Sequence, residues 1–169
     1  MRARAVVPLL ALSCVLSLLS AAFFAAPSPS PLAGVERGTV VRVVDGDTVH
    51  VRVGERVEKV RYIGINAPET NHPTRGEEPG GRAATEVNGR LVADRAVRLE
   101  PDVQLRDRYG RLLAYVWVNG PGGALMVNAE LVRLGYAQVM TVPPNVRHAD
   151  LFRKLQADAR EQRRGLWAP

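Results

Sequence analysis

Cysteine is almost missing from this sequence. Its one copy in 169 residues, Cys14, excludes both an intrachain disulfide and a cysteine-based metal site. Histidine is nearly as scarce: His50, His72 and His148 fall in no ligand spacing, so all three read as surface or structural residues. No internal repeat is present. Lysine supplies only two of the 23 basic residues, the other 21 being arginine. That bias suits bidentate phosphate contacts, or it reflects GC-rich codon usage. What is there is ordinary for a folded chain. Hydrophobic residues make up 46% and charged residues 24%, with 15 glycines and 12 prolines, so the body is neither disordered nor collagenous. The length suits one compact domain plus a terminal appendage. A formal net charge of +6 leans towards an anionic partner such as nucleic acid.

Arg2 and Arg4 precede an uncharged run of apolar and small residues over 5–26, and Ser20-Ala21-Ala22 offers a small-x-small cleavage site. Residues 1–26 are therefore expected to be a signal peptide or an N-terminal membrane anchor, since the uncut run is long enough to span a bilayer. Either outcome exports the protein, secreted or extracytoplasmic, with residues 5–26 as the tether if they stay. Residues 27–34 read as a Pro/Ser linker, and the folded domain is expected over 35–169.

Within that domain Thr39–Val53 alternates around Asp45-Gly46, a hairpin signal. A third strand is expected over Val57–Ile65, with Arg61, Ile63 and Ile65 on one face. Helices are expected over Arg82–Asp94, Met126–Leu134 and Arg147–Arg164, and further strands around Val97–Leu99 and over Arg111–Val118. Leu166-Trp167 is expected to pack back on the body. The count gives an α+β, mainly β fold: an OB-fold five-stranded barrel with about three helices.

Polar residues gather at the strand ends. Asp47 follows the hairpin turn, Arg61 precedes the Asn66-Ala67-Pro68-Glu69 turn, and Arg111 opens a strand. Each has a bland reading as a turn former, a solvated charge or an edge residue. Together they suit phosphodiester hydrolysis. Two guanidiniums and an oxygen-ligated cation neutralise the phosphate, and a carboxylate directs water. Oxygen donors without His or Cys suit calcium or magnesium.

Five words in order carry a resemblance: Val44-Asp45-Gly46-Asp47-Thr48-Val49, Val60-Arg61 to Thr70, Asp107-Arg108-Tyr109-Gly110-Arg111 to Tyr115, Val127-Asn128 to Ala137, and Arg164-Gly165-Leu166-Trp167. Over residues 35–169 the sequence resembles the thermonuclease family of staphylococcal-nuclease-like domains. The resemblance implies a calcium-dependent nuclease, holding one Ca2+, that cuts DNA and RNA with low sequence specificity and leaves 3′-phosphates. It implies Arg61 and Arg111 as the phosphate clamp and Glu69 as the water-directing base. It further implies Asp47, Asn66 and the Ala67 carbonyl as metal ligands, and Arg108 and Tyr109 as contacts to a neighbouring phosphate. Asn66 stands where the best-known members carry an aspartate, and Met140-Thr141-Val142-Pro143 lacks their tyrosines. The sequence implies no protein partner, and a monomer is expected. Those two departures keep a second function open, a catalytically weak or inactive OB-fold module that binds single-stranded nucleic acid or a protein.

Overall fold

The computed structural model describes residues 34–70, 74 and 76–169. The expected signal or anchor (1–26), nearly all of the linker (27–34), Cys14 and His72 lie outside the described residues.

β-Branched residues alternating with polar ones build the first three strands, β1 (Glu36–Val43), β2 (Thr48–Val53) and β3 (Arg56–Tyr62), as an antiparallel meander. Val40, Val49, Val51 and Val60 point inward and are fully buried. A register shift between Val40 and Arg42 makes β1 bulge at Val41. Beyond β3 lie β4 (Ile65–Asn66), the helix α1 (Gly81–Val92), and the strands β5 (Ala96–Glu100), β6 (Leu112–Gly120) and β7 (Gly123–Met126). The helix α2 (Val127–Arg133), β8 (Gln138–Val139) and the helix α3 (Ala149–Glu161) follow, and a short 3-10 turn (Gly165–Trp167) comes last. In space the strands run β3-β2-β1-β5-β6, and a parallel pairing of β3 with β6 closes them into the expected five-stranded barrel with three helices.

Two details differ from the sequence reading. The third strand does not continue to Ile65. It stops at Tyr62, because Gly64 takes a left-handed turn (φ 80°) that lets the Phe152 ring of α3 lie against its backbone. Ile65 and Asn66 then pair with β8 instead of extending β3. Parity therefore does not link Arg61 to Ile65; the break is what lets Arg61 curl back towards the chain that follows it. The second detail is β7, a strand begun at Gly123 where a turn into a helix is expected. It pairs with β6, so that α2 starts only at Val127.

The closing Leu166-Trp167 packs back as expected. The Leu166 N–H donates to the Gly135 carbonyl at 2.8 Å, and the Arg160 guanidinium stacks 4.3 Å over the Trp167 ring.

Candidate active site

Three loops meet at one end of the barrel. The first is the β1–β2 turn. Asp45 Oδ1 accepts the Asp47 N–H at 3.0 Å, and Val44 and Asp45 N–H groups both reach the Thr48 carbonyl. Gly46 is not in a left-handed conformation; what it supplies is room. A Cβ there would stand 2.5 Å from the Cβ of Ala67 and 2.8 Å from that of Ala84, so the turn can nest between the second loop and α1 only with glycine. Asn88 of α1 holds it from behind, donating to the Asp45 carbonyl and accepting from the Tyr62 hydroxyl.

Within this frame Asp47 is 3% exposed. Its Oδ1 accepts from the Thr48 hydroxyl and its Oδ2 from the Ala67 N–H at 2.7 Å, with an Arg61 Nη 3.1 Å away. Burial pushes its carboxyl up to about 7, against the opposing pull of Arg61 and with the help of neighbouring Asp45. Arg61 is itself buried and fully oriented. One Nη donates to the Tyr62 and Ile65 carbonyls, and the other donates to Asn66 Oδ1 at 3.0 Å while facing Asp47. Four acceptors thus fix the guanidinium before any substrate arrives.

The second loop carries Glu69. Its backbone is clasped by Glu78, whose carboxylate accepts the Glu69 N–H while the Glu78 N–H donates to the Glu69 carbonyl. Gly81 lets α1 begin against this loop, since a Cβ there would come 2.5 Å from the Glu69 carbonyl oxygen. Burial, then Asp45, raise the Glu69 carboxyl above its ordinary value, with Arg61 pulling the other way.

The third loop, before β6, presents Arg108, Tyr109 and Arg111. Asp107 accepts the Tyr109 and Arg111 N–H groups on Oδ1 and the Arg111 Nε–H on Oδ2 at 2.7 Å. Against the upward push of its burial, these bonds and the Arg111 charge hold the Asp107 carboxyl below its usual range. Arg111 is anchored through Nε, and neither of its Nη groups has a hydrogen-bond partner among the described residues. Tyr109 is 67% exposed, with the Arg108 guanidinium 4.7 Å and the Arg111 guanidinium 5.5 Å from its ring.

The end of β3 and the second and third loops open onto a cavity of about 500 Å³ lined by Arg61, Asn66, Glu69, Arg108, Tyr109 and Arg111 among others, with the first loop buried behind it. Its far wall holds Met140 and Val142, and Asn145 pins that wall in place. Asn145 accepts the Gln104 N–H and donates to the Gln104 carbonyl. Six of the eight residues expected from the sequence therefore face one space. Asp47 and Ala67 are not on its surface; they lie buried behind Arg61 and Asn66.

Sequence reasoning missed the supports. Asn88, Asn128 and Asn145 are buried amides. Asn128 accepts the Val116 N–H and donates to the Ile63 carbonyl, tying α2 to the strand break beside the site. A single asparagine in a helical pattern gives little sign of such a role, whereas the Asp107–Arg111 spacing, i to i+4 across a turn, could have been read as a pair.

A hard divalent cation fits this chemistry. The ligands available are all oxygen, the Asp47 carboxylate with the oxygens of Asn66 and Ala67, a set that suits a hard ion; the Asp47 oxygens now accept from the Thr48 hydroxyl and the Ala67 N–H and face Arg61, contacts that a cation would have to share. Among the described residues no three His, Cys, Asp or Glu side chains converge on a metal, so such a site would rest on Asp47 with the neutral oxygens of Asn66 and Ala67.

A family model described as "Staphylococcal nuclease homologue" matches residues 59–169, a span that takes in every residue named above from Arg61 onward. The chain is 33% identical over 156 residues to a thermonuclease of Staphylococcus hyicus, covering 89% of this chain and 90% of that protein. It is 37% identical over 128 residues to a thermonuclease of Staphylococcus intermedius, covering 76% and 74%. It is 39% identical over 132 residues to the SPbeta prophage-derived endonuclease YokF of Bacillus subtilis (strain 168), covering 77% of this chain and 43% of that protein. With the barrel, the clamp of arginines and these likenesses together, the chain belongs to the staphylococcal nuclease homologue family.

Proposed function

We propose that this chain, a nuclease of that family, hydrolyses phosphodiester bonds of DNA and RNA with the help of one calcium ion. The observation that carries the reading is the convergence of Arg61, Arg111 and Glu69 on one cavity, with both guanidiniums anchored by their own hydrogen bonds. Arg111 offers two Nη groups without partners among the described residues to a phosphate in a bidentate fork, and Arg61 adds a second fixed positive charge from the end of β3. Charge that builds on the non-bridging oxygens as the phosphate becomes five-coordinate is met by donors that need no reorganisation. Glu69, with its carboxyl raised, accepts the proton of the attacking water in line with the departing oxygen. Arg108 and Tyr109 take the next phosphate along the strand.

Calcium, held by Asp47, Asn66 and the Ala67 carbonyl, would supply further positive charge against the phosphate when bound. The side chains of Met140 and Val142 offer the cavity's far wall no hydrogen-bonding groups for reading base edges, which favours low sequence specificity.

The test is cleavage of plasmid and single-stranded DNA by wild type, Glu69→Gln and Arg111→Ala in calcium, magnesium and chelator. Glu69→Gln is expected to lower the rate by about 10²–10⁴ and Arg111→Ala by about 10²–10³, with the fold intact by circular dichroism. Undiminished cleavage in chelator would overturn the calcium role. Strand binding without turnover in wild type would favour a binding module, the reading that the neutral Asn66 recommends.

A further inference from the structure

The barrel's charged residues divide into two sets. Arg56, Arg98, Arg106, Arg111, Arg133 and Arg147 all have carboxylate partners. Arg37, Arg42, Arg52 and Lys59 have none among the described residues, and all four are exposed; Arg42, Arg52 and Lys59 lie together on the outer face of the β1–β2–β3 meander.

Their placement is not scattered. Arg42 of β1 stands opposite His50 of β2, and His50 stands opposite Lys59 of β3. Lys59 directly precedes Val60, whose partner across the barrel seam is Leu112, and Arg111 directly precedes Leu112. One row therefore crosses four strands in the order Arg111, Lys59, His50, Arg42, starting at the phosphate clamp. Three inter-strand steps make it roughly 14 Å long. Arg52 and the exposed Val57 form the next row on the same face.

The row is also built at a cost. Plain alternation from the buried Val40 would turn Arg42 inward; the bulge at Val41 turns it out beside His50. Like charges in neighbouring register positions repel, and with no carboxylate between them the potential stays uncompensated. His50 reports it: its pKa is lowered by burial and then by Arg42 and Lys59 on either side. Glu58, the acidic residue next along β3, has the opposite parity and is taken up by Arg56 and Arg106. Edge protection alone does not account for this, since β2 is an interior strand and β1 and β3 are paired on both sides.

We infer that the outer face of the meander, through Arg42, His50 and Lys59, is a phosphate track for the single strand whose scissile phosphate lies between Arg61 and Arg111. It rests on the nuclease reading for its starting point. It adds to that reading a length of strand held outside the cavity, so that the protein favours polymers over short oligonucleotides.

The experiment compares the full chain with its Arg42→Gln/Lys59→Gln variant. A matched control, Arg153→Gln/Lys154→Gln, removes the same two charges from α3. Binding of a labelled 20-nucleotide single strand is read by fluorescence anisotropy in chelator at several salt concentrations. Cleavage of a dinucleotide with one phosphodiester is read separately in calcium. The track variant should bind the 20-mer on the order of tenfold more weakly at 0.1 M salt. Its log K against log salt slope should be shallower by about 1.4, two contacts at about 0.7 each. The α3 control should match wild type in both, and all three proteins should cut the dinucleotide alike. An unchanged slope in the track variant, or an equal fall in the α3 control, overturns the track. So does an unchanged slope accompanied by lost binding to phosphatidylglycerol vesicles, which would assign the face to a membrane surface. A wild type that binds through this face yet cuts neither the 20-mer nor the dinucleotide in calcium overturns the nuclease reading and leaves the track standing.

Discussion

One Arg61 nitrogen lies 3.0 Å from the Asn66 amide oxygen and 3.1 Å from Asp47 Oδ2. That nitrogen is shared between a neutral acceptor and a buried anion, and a bound cation would have to draw on the same two oxygens. A neutral amide weakens the hold on calcium because affinity in oxygen sites follows the number of charged ligands. Asn66→Asp adds one carboxylate there. The calcium needed for half-maximal cleavage is expected to fall severalfold, measured by titrating calcium into a plasmid assay. An unchanged requirement would remove Asn66 from the ligand set. That Arg61, Glu69 and Arg111 meet at one cavity was legible only through the ordered words shared with the family, since each residue alone has a bland reading. The role of Gly46 was not. Its dipeptide with Asp45 signals a tight turn, whereas the structure uses it for close approach to Ala67 and Ala84. A need for space depends on what packs from elsewhere, and no local pattern encodes it.

Elements hold the site by clamps between loops more than by their own regularity. The Met140–Val142 wall is short and carries little buried surface, since Thr141, Val142 and Pro143 are all exposed. It is Asn145, bonded twice to the Gln104 backbone, that fixes it against the loop bearing Arg108 and Arg111. Asn145→Ala unties that wall and leaves the arginines and Glu69 untouched. The expected result is a KM for single-stranded DNA raised about three- to tenfold with kcat changed less than twofold, since only uniform binding is lost. A fall in kcat with KM unchanged would show that the clamp acts on the chemistry instead. Most elements were legible at this scale, because alternation in β1, β2 and β6 and helical spacing in α1 and α3 are strong periodic patterns. The break between β3 and β4 was hidden. The run Val57–Ile65 contains no proline or turn dipeptide to end a strand, and the reason to stop at Tyr62 is the Phe152 ring, nearly ninety residues away, lying against Gly64.

At the scale of the molecule, the barrel closes where β3 meets β6 in a parallel pairing of only three residue pairs. Parallel pairs are slightly weaker per residue, so this seam depends on what braces it. Glu58 lies beside it on β3 and joins both Arg106 nitrogens of the incoming loop, at 2.9 and 3.0 Å, while also facing Arg56. The Arg106 hydrogen bond is the main reason the Glu58 carboxyl is held below its ordinary value, with burial opposing. The sign of the linkage follows from that direction. A carboxyl bound more tightly as its anion in the folded state adds stability that is complete above its unfolded pKa of about 4.5 and is lost as the pH falls through the lower folded value. Glu58→Gln has no such term. The pair is partly exposed and screened, so wild type should exceed Glu58→Gln by about 1 kcal/mol at pH 7 in urea unfolding. The difference should shrink steadily as the pH falls below about 4.5 and through the lower folded value. A gap that stayed constant across this range would mean that Glu58 contributes packing and hydrogen bonding alone, and that the seam is held by its three backbone pairs and the barrel core.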